Sequence, residues 1–224
     1  QSPADNGDNG DGAPANWSHA LIVDWGASSL TLSALSNPGG TGTLQLVRTT
    51  RDSSCSGRAL SSLLVNHCAS QFERRNRLPS GEVLASKRAK GRLERACEDA
   101  LRTLGAAQGG SRAGCSVVVD GLYEGLDLNV PVSRPRFDAL CGPFYRKAKA
   151  MIQAEAARLA EKEGEGGGGA AAFDAVLAAG NVSLMPGAAA VVDGLFPPKG
   201  DDKKCWRGRS DVPADEAVAL GCAM

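Results

Sequence analysis

The chain of 224 residues carries 25 basic and 25 acidic side chains and no net charge, so its overall electrostatics point to neither nucleic acid nor an anionic membrane surface. It is long enough for one large domain or two small lobes with a real core. No apolar run reaches the ~18–20 residues of a membrane span, and the start lacks the basic-then-apolar text of a signal peptide, so the chain reads as soluble. The seven cysteines are odd in number and form no paired C-x-x-C motifs. Cys68 and Cys97 fall on the apolar faces of predicted helices, and a reduced, cytoplasmic compartment fits them best.

Residues 1–16 are rich in Gly, Asn, Asp and Pro without apolar periodicity and predict a disordered tether. The start at Gln1 reads as that of a piece of something longer. Residues 20–35, ALIVDWGASSLTLSAL, follow. The apolar Leu21, Ile22 and Val23 end in Asp24, the small residues Gly26, Ala27, Ser28 and Ser29 turn, and Leu30, Leu32 and Ala34 alternate with Thr31 and Ser33. This is strand, tight turn, strand. An acid closing a hydrophobic strand, next to a turn with little side chain, lets backbone N–H groups approach an anion while the carboxylate holds a cation nearby. Such a hairpin suits a metal-bound phosphate; the same text also fits a plain β-hairpin with a small polar turn.

A turn at Asn37-Pro38-Gly39-Gly40 leads to a third strand over residues 43–50, with Leu44, Leu46 and Thr49 among its members, which predicts an antiparallel meander. Residues 53–58 open a helix over 59–75 on which Leu60, Leu63, Leu64, His67 and Phe72 recur, with Arg74 and Arg75 at its end where they suit the dipole. His67 reads as a satisfied interface residue, because no Cys or Ser nucleophile pattern accompanies it. After Pro79-Ser80-Gly81 a second helix over 83–104 carries Leu93, Cys97, Ala100 and Leu104 on one side and charges elsewhere. Glu98 and Arg102, four apart, can pair and form a polar spot on one helical surface.

A second hairpin over 115–120 and 126–132 has Tyr123 at its tip. Ser133 reads as the cap of a long helix running to about residue 163, with Phe137, Leu140, Cys141, Phe144, Ala148, Ile152 and Leu159 as its stripe. A flexible glycine loop or insertion over 164–169 precedes a short buried strand over 173–179. That strand closes in a second small-residue turn, Gly180-Asn181-Val182-Ser183. A helix over 187–195, a Pro- and Lys-rich loop to Arg209, and a last helix capped by Asp211 or Pro213 complete the chain.

Two anion-friendly turns thus stand far apart in sequence, each at the end of a buried strand, as a nucleotide site assembled from two halves of a mixed sheet needs. Along LVNH at 64–67, ACEDALRTL at 96–104, DGLYEGLDLNVPVSRPRFDALC at 120–141 and PADEAVALGCA at 213–223, the chain resembles the heat shock protein 70 chaperone family. The match is to the second half of its actin-like ATPase domain. The resemblance implies an α/β (α+β) fold: lobe II of an actin-like, ribonuclease H-like ATPase, a mixed β-sheet with flanking helices plus an inserted smaller helix-and-hairpin subdomain. Lobe II would span 17–224, with its base at 17–55 and 142–224 and the insertion at 56–141.

It also implies a site for ATP or ADP with Mg2+. Asp24 would hold the magnesium through water, and Gly26, Ala27, Ser28 and Ser29 would line the β and γ phosphates. Gly57 would lie at the ribose, Glu98 and Arg102 at the adenosine, Gly180 and Asn181 over the phosphates, and Asp215 behind the site. Against the family pattern, two side chains are added at Ala27 and Ser28, and Thr31 stands where an acid is expected. Arg58 replaces a glutamate, Leu101 a lysine, Gly105 a serine, Ala179 a glycine and Ser183 a base-stacking arginine.

Losing a carboxylate that positions water or metal forfeits a factor of about 10²–10⁴ in rate, and the family's first lobe and peptide-binding domain lie outside this sequence. The expectation is therefore a nucleotide-binding lobe of an atypical, ribosome-associated heat shock 70 chaperone with a degenerate site and no catalytic residue of its own. Its nucleotide would be weakly held or lost, and its work in protein folding and the stress response would run through a J-domain co-chaperone or the ribosome. The alternative is a fragment of an active ATP-hydrolysing chaperone, to which the retained Asp24, Glu98, Arg102 and Asp215 belong.

Overall fold

In the computed structural model, the described residues are 18–38, 44–106, 114–162, 173–196 and 216–223. The expected tether at 1–16, the glycine loop at 164–169, the caps Asp211 and Pro213, and Asp215 lie outside them.

Alternation builds the first hairpin. In β1 (His19–Trp25) and β2 (Leu30–Ser36), Leu21, Val23, Trp25, Leu30, Leu32 and Ala34 are buried, and the antiparallel register sets Val23 opposite Leu32 and Asp24 opposite Thr31. β3 (Gln45–Asp52) adds to β2 as the sheet's edge, with a register shift between Ala34 and Leu35. Its apolar members face solvent: Leu46 is 62% exposed, and Leu44, just before the strand, 53%.

The fourth strand, β6 (Ala175–Ala179), comes from far along the chain and runs parallel to β1, completing the order β3-β2-β1-β6. Asp174 ties this junction, accepting from the backbone N–H groups of Ser18 at 2.8 Å and His19 at 3.2 Å.

α1 (Gly57–Asn76) starts where the Ser56 hydroxyl accepts from the Ala59 N–H and ends at Arg77, whose φ of 57° turns the chain out of the helix. Glu73 then organises the next turn. Its buried carboxylate accepts from the backbone N–H groups of Gly81 at 3.0 Å and Val83 at 3.1 Å.

The single helix expected over 83–104 is instead two, α2 (Glu82–Ala85) and α3 (Lys87–Ala106). Ser86 between them is extended, and its hydroxyl accepts from the Ala89 N–H, so a side-chain cap competes with helix continuation. The candidate Glu98–Arg102 pair is also corrected. Arg102 turns to Asp99, three residues back, at 2.9 Å. Both spacings lie on one helical face, so spacing alone does not choose between them.

β4 (Gly114–Tyr123) and β5 (Leu126–Ser133) form a separate two-stranded sheet. α4 (Arg134–Lys162) follows and crosses the large sheet. The Trp25 ring packs against Phe144 at 5.8 Å and Tyr145 at 6.2 Å, and its indole N–H donates to the Cys55 carbonyl at 2.7 Å.

Further along α4, Glu155 is 1% exposed beneath the β3 edge. It accepts from the Thr50 hydroxyl at 2.8 Å and lies 3.0 Å from Arg48 Nε. That guanidinium contact is an ion pair without hydrogen-bond alignment, because Glu155 Oε1 has no hydrogen-bond partner. α5 (Pro186–Leu195) packs on α4, with Gly187 against the Tyr145 ring, and α6 (Ala217–Ala223) is the last described element. Among the described residues no helix is long and apolar enough to cross a membrane.

The cysteines divide by burial. Cys55, Cys68, Cys97 and Cys141 are buried, whereas Cys222 is exposed. Desolvation pushes the Cys141 thiol up to about 12, and Cys55 is raised by the same cause. The thiolate is the reactive form. Iodoacetamide at neutral pH is therefore expected to label Cys222 in the native chain and to reach Cys55 and Cys141 only after denaturation, read by peptide mass spectrometry. Labelling of Cys141 as fast as Cys222 would contradict this packing.

Candidate functional site

One end of the large sheet gathers the turns that the sequence singles out. Because β1 and β6 are parallel neighbours with Asp24 beside Ala179, the turns that follow them leave the sheet at the same edge. Gly180 adopts φ 83° and ψ 151°, and a Cβ there would lie 2.9 Å from Asp24 Oδ1 and 2.5 Å from the Trp25 carbonyl oxygen. No other residue type fits that cradle.

α1 begins at the same place. The Gly57 N–H donates to the Gly26 carbonyl and the Arg58 N–H to the Ala27 carbonyl, both at 3.0 Å. A Cβ at Gly57 would stand 3.0 Å from Val182 Cγ2 and 3.2 Å from the Ala27 Cα. Asp24, Gly26, Ala27, Gly57 and Gly180 therefore meet around one point, with Ser28 and Ser29 completing the hairpin turn and the exposed Asn181 opening a one-turn 3-10 segment.

The hydroxyls of this end are occupied from within. Arg51, across the sheet on β3, donates through Nε to Ser29 Oγ at 2.8 Å and through a terminal nitrogen to Ser28 Oγ at 3.4 Å. Ser29 Oγ also lies 3.3 Å from Thr31 Oγ1. The Ser183 hydroxyl folds back to donate to the Gly180 carbonyl at 2.5 Å, so it closes its own turn and does not extend outward.

Glu98 and Arg102 stand apart from this cluster on the exposed face of α3, where Arg102 is held by Asp99. The end of α3 does approach, since a Cβ at Gly105 would come 2.9 Å from Met185 Sδ, just past the 3-10 segment. Leu101 packs against the core.

The residues present fit a phosphate group in part. The small turns and the glycine cradle leave room for one beside the half-buried Asp24 carboxylate, but Ala27 and Ser28 project from the turn and Arg51 already engages its hydroxyls. Sequence reasoning missed Arg51, Asp174 and Met185. Arg51 stands in the unbroken polar run 48–52 of β3, and only the register opposite Thr31 brings it to the turn.

A mixed sheet flanked by helices, with a hairpin turn, a helix start and a glycine turn collected at one end, is the arrangement of an actin-like ATPase lobe. A family model described as "Hsp70 protein" matches residues 12–224, and the chain belongs to the heat shock protein 70 family. It is 28% identical to heat shock cognate 70 kDa protein 3 of Dictyostelium discoideum, over 91% of this chain and 29% of that protein. It is 30% identical to heat shock 70 kDa protein 14 of Rattus norvegicus, over 96% of this chain and 38% of that protein, and 28% identical to the Homo sapiens protein of the same name. The chain therefore spans well under half the length of these relatives.

Proposed function

We propose that this chain is the nucleotide-binding lobe of an atypical, ribosome-associated heat shock 70 chaperone, a regulatory module that holds nucleotide weakly or not at all. It acts in protein folding in the cytoplasm, through a J-domain co-chaperone or the ribosome. The observation that carries the reading is the Thr31 position. In place of a carboxylate it offers a hydroxyl that turns to Ser29, and no acid there orients water for hydrolysis.

In this reading Asp24 is the residue that would hold Mg2+ through water, with residues 26–29, Gly180 and Asn181 along the phosphates of ATP or ADP. Gly57 would lie toward the ribose and Glu98 and Arg102 toward the adenosine, while Asp215, expected behind the site, falls outside the described residues. Bound nucleotide supplies a γ-phosphate whose presence or loss a partner can sense. The separation of the four-stranded sheet from the β4–β5 hairpin supports a base at 17–55 and 142–224 and an inserted subdomain at 56–141. The exposed apolar edge at Leu44, Leu46 and Val47 supports a protein partner on the β3 side.

A second reading, a fragment of an active ATPase, draws on Asp24, which is retained beside the Gly180 cradle. Calorimetry can overturn the first reading. Magnesium-ATP titrated into this chain is expected to give a Kd of about 1 mM or weaker, and micromolar affinity would favour the second reading.

A further inference from the structure

Away from the glycine turns, a cavity of about 450 Å³ opens between α1 and β5, within the ~300–1,000 Å³ range of ligand sites. His67, Gln71 and Arg75 repeat at intervals of four along α1 and form one wall, residues 127–131 of β5 form the other, and Arg136 in the first turn of α4 also lines it. Phe72 and Leu128, 3% and 1% exposed, make an apolar floor.

Two features define what fits. β5 pairs only with β4 among the described strands, so its second edge carries backbone N–H and C=O groups outside any ladder, Pro131 having a C=O alone, and is a template for an added strand. Five residues of strand extend about 17 Å, which sets the length of the template. The charge is the second feature. Arg75 and Arg136 lie outside the ion pairs among the described residues, which engage Arg48, Lys90, Arg102, Arg134, Lys147 and Arg158. The one acid in the wall, Asp127, already accepts from the Gly121 N–H at 2.5 Å.

We propose that this cleft is a docking groove for an extended acidic peptide segment of a partner protein, its backbone along the free edge of β5 and its carboxylates on Arg75 and Arg136. The site is independent of the nucleotide reading. Desolvation, and then the Arg136 charge, hold the His67 pKa below its usual range, so a carboxylate seated against Arg136 is expected to raise it. The titratable groups lining the cleft are His67 and Arg75 of α1, Asp127 of β5 and Arg136 of α4.

The test is fluorescence polarisation with a fluorescein-labelled hexapeptide of alternating Asp and Val, titrated with the full chain. Its Asn-Val counterpart serves as the neutral control. Arg75→Glu and Arg136→Glu are changes at exposed positions, and thermal melting by circular dichroism checks that both variants remain folded. Expected are saturable binding of the acidic peptide, a loss of at least about tenfold in either variant, the same loss for the neutral peptide, and a raised His67 titration by NMR when the acidic peptide is present. Equal binding of the neutral peptide, equal binding by the charge-reversed variants, or absence of binding overturns the proposal. Full competition by equimolar inorganic phosphate also overturns it, leaving a small-anion site only.

Discussion

Gly180→Ala is expected to destabilise the chain by about 4 kcal/mol, combining a backbone region essentially closed to other residues (~1–3 kcal/mol) with overpacking of ~1–3 kcal/mol. The reason is geometric. A Cβ there would sit 2.5 Å from the Trp25 carbonyl oxygen and 2.6 Å from its carbon, and both are backbone atoms of a strand buried in the sheet. No side-chain rotation relieves that overlap, so β1 or β6 must shift. Whole domains are stable by only ~5–15 kcal/mol, so the loss is a large fraction of the total. Urea unfolding followed by tryptophan fluorescence checks it, with the midpoint expected to fall steeply and the slope to stay unchanged. A variant within ~0.5 kcal/mol of the parent, the range of ordinary surface changes, would mean that the two turns are not in contact.

Glu73→Ala is expected to cost about 2 kcal/mol, since the buried Val83 donor left without its acceptor loses ~1–3 kcal/mol, while the donor of the exposed Gly81 turns to water. The donors are the backbone N–H groups of Gly81 and Val83, and Val83 is fully buried. Nothing else in the link between α1 and α3 replaces a carboxylate that reaches ten residues forward. Glu73→Gln keeps one acceptor oxygen and is expected to lose about half as much. Hydrogen exchange adds a local readout, because the Gly81 and Val83 amides should lose protection in the alanine variant before the amides of β1 do. Unchanged protection at Val83 would remove this role from Glu73.

Much of the architecture is legible in the sequence because burial there is periodic. The alternation through Leu21, Val23, Leu30 and Leu32, and the helical recurrence of Leu60, Leu64, Cys68 and Phe72, follow from one face of each element meeting the core. What the sequence withholds is pairing between distant segments. That β6 lies beside β1, parallel and in a register that sets Asp24 next to Ala179, is invisible to local patterns, and the whole gathering of turns depends on it.

Choices between near-equal neighbours are hidden too. Asp99 and Glu98 are both within reach of Arg102, and geometry selects Asp99. Ser86 looks like any polar residue on a charged helix until its hydroxyl is seen capping α3. Glu155 reads as one of several charges near the end of a long helix, yet it is buried because Thr50 and Arg48 of β3 lie over it.

The candidate site divides along the same line. Its small-residue turns are visible as text, whereas Arg51 lying across their hydroxyls is a property of sheet register. The difference bears on function, because a turn whose hydroxyls are engaged by a guanidinium and by Thr31 is altered in the chemistry it offers, not only in its shape.

The most direct test is ATP turnover by this protein under saturating magnesium-ATP, measured beside its Asp24→Asn variant. The degenerate-site account predicts the same background rate of phosphate release from both. Tight nucleotide binding together with a turnover that Asp24→Asn abolishes would contradict it.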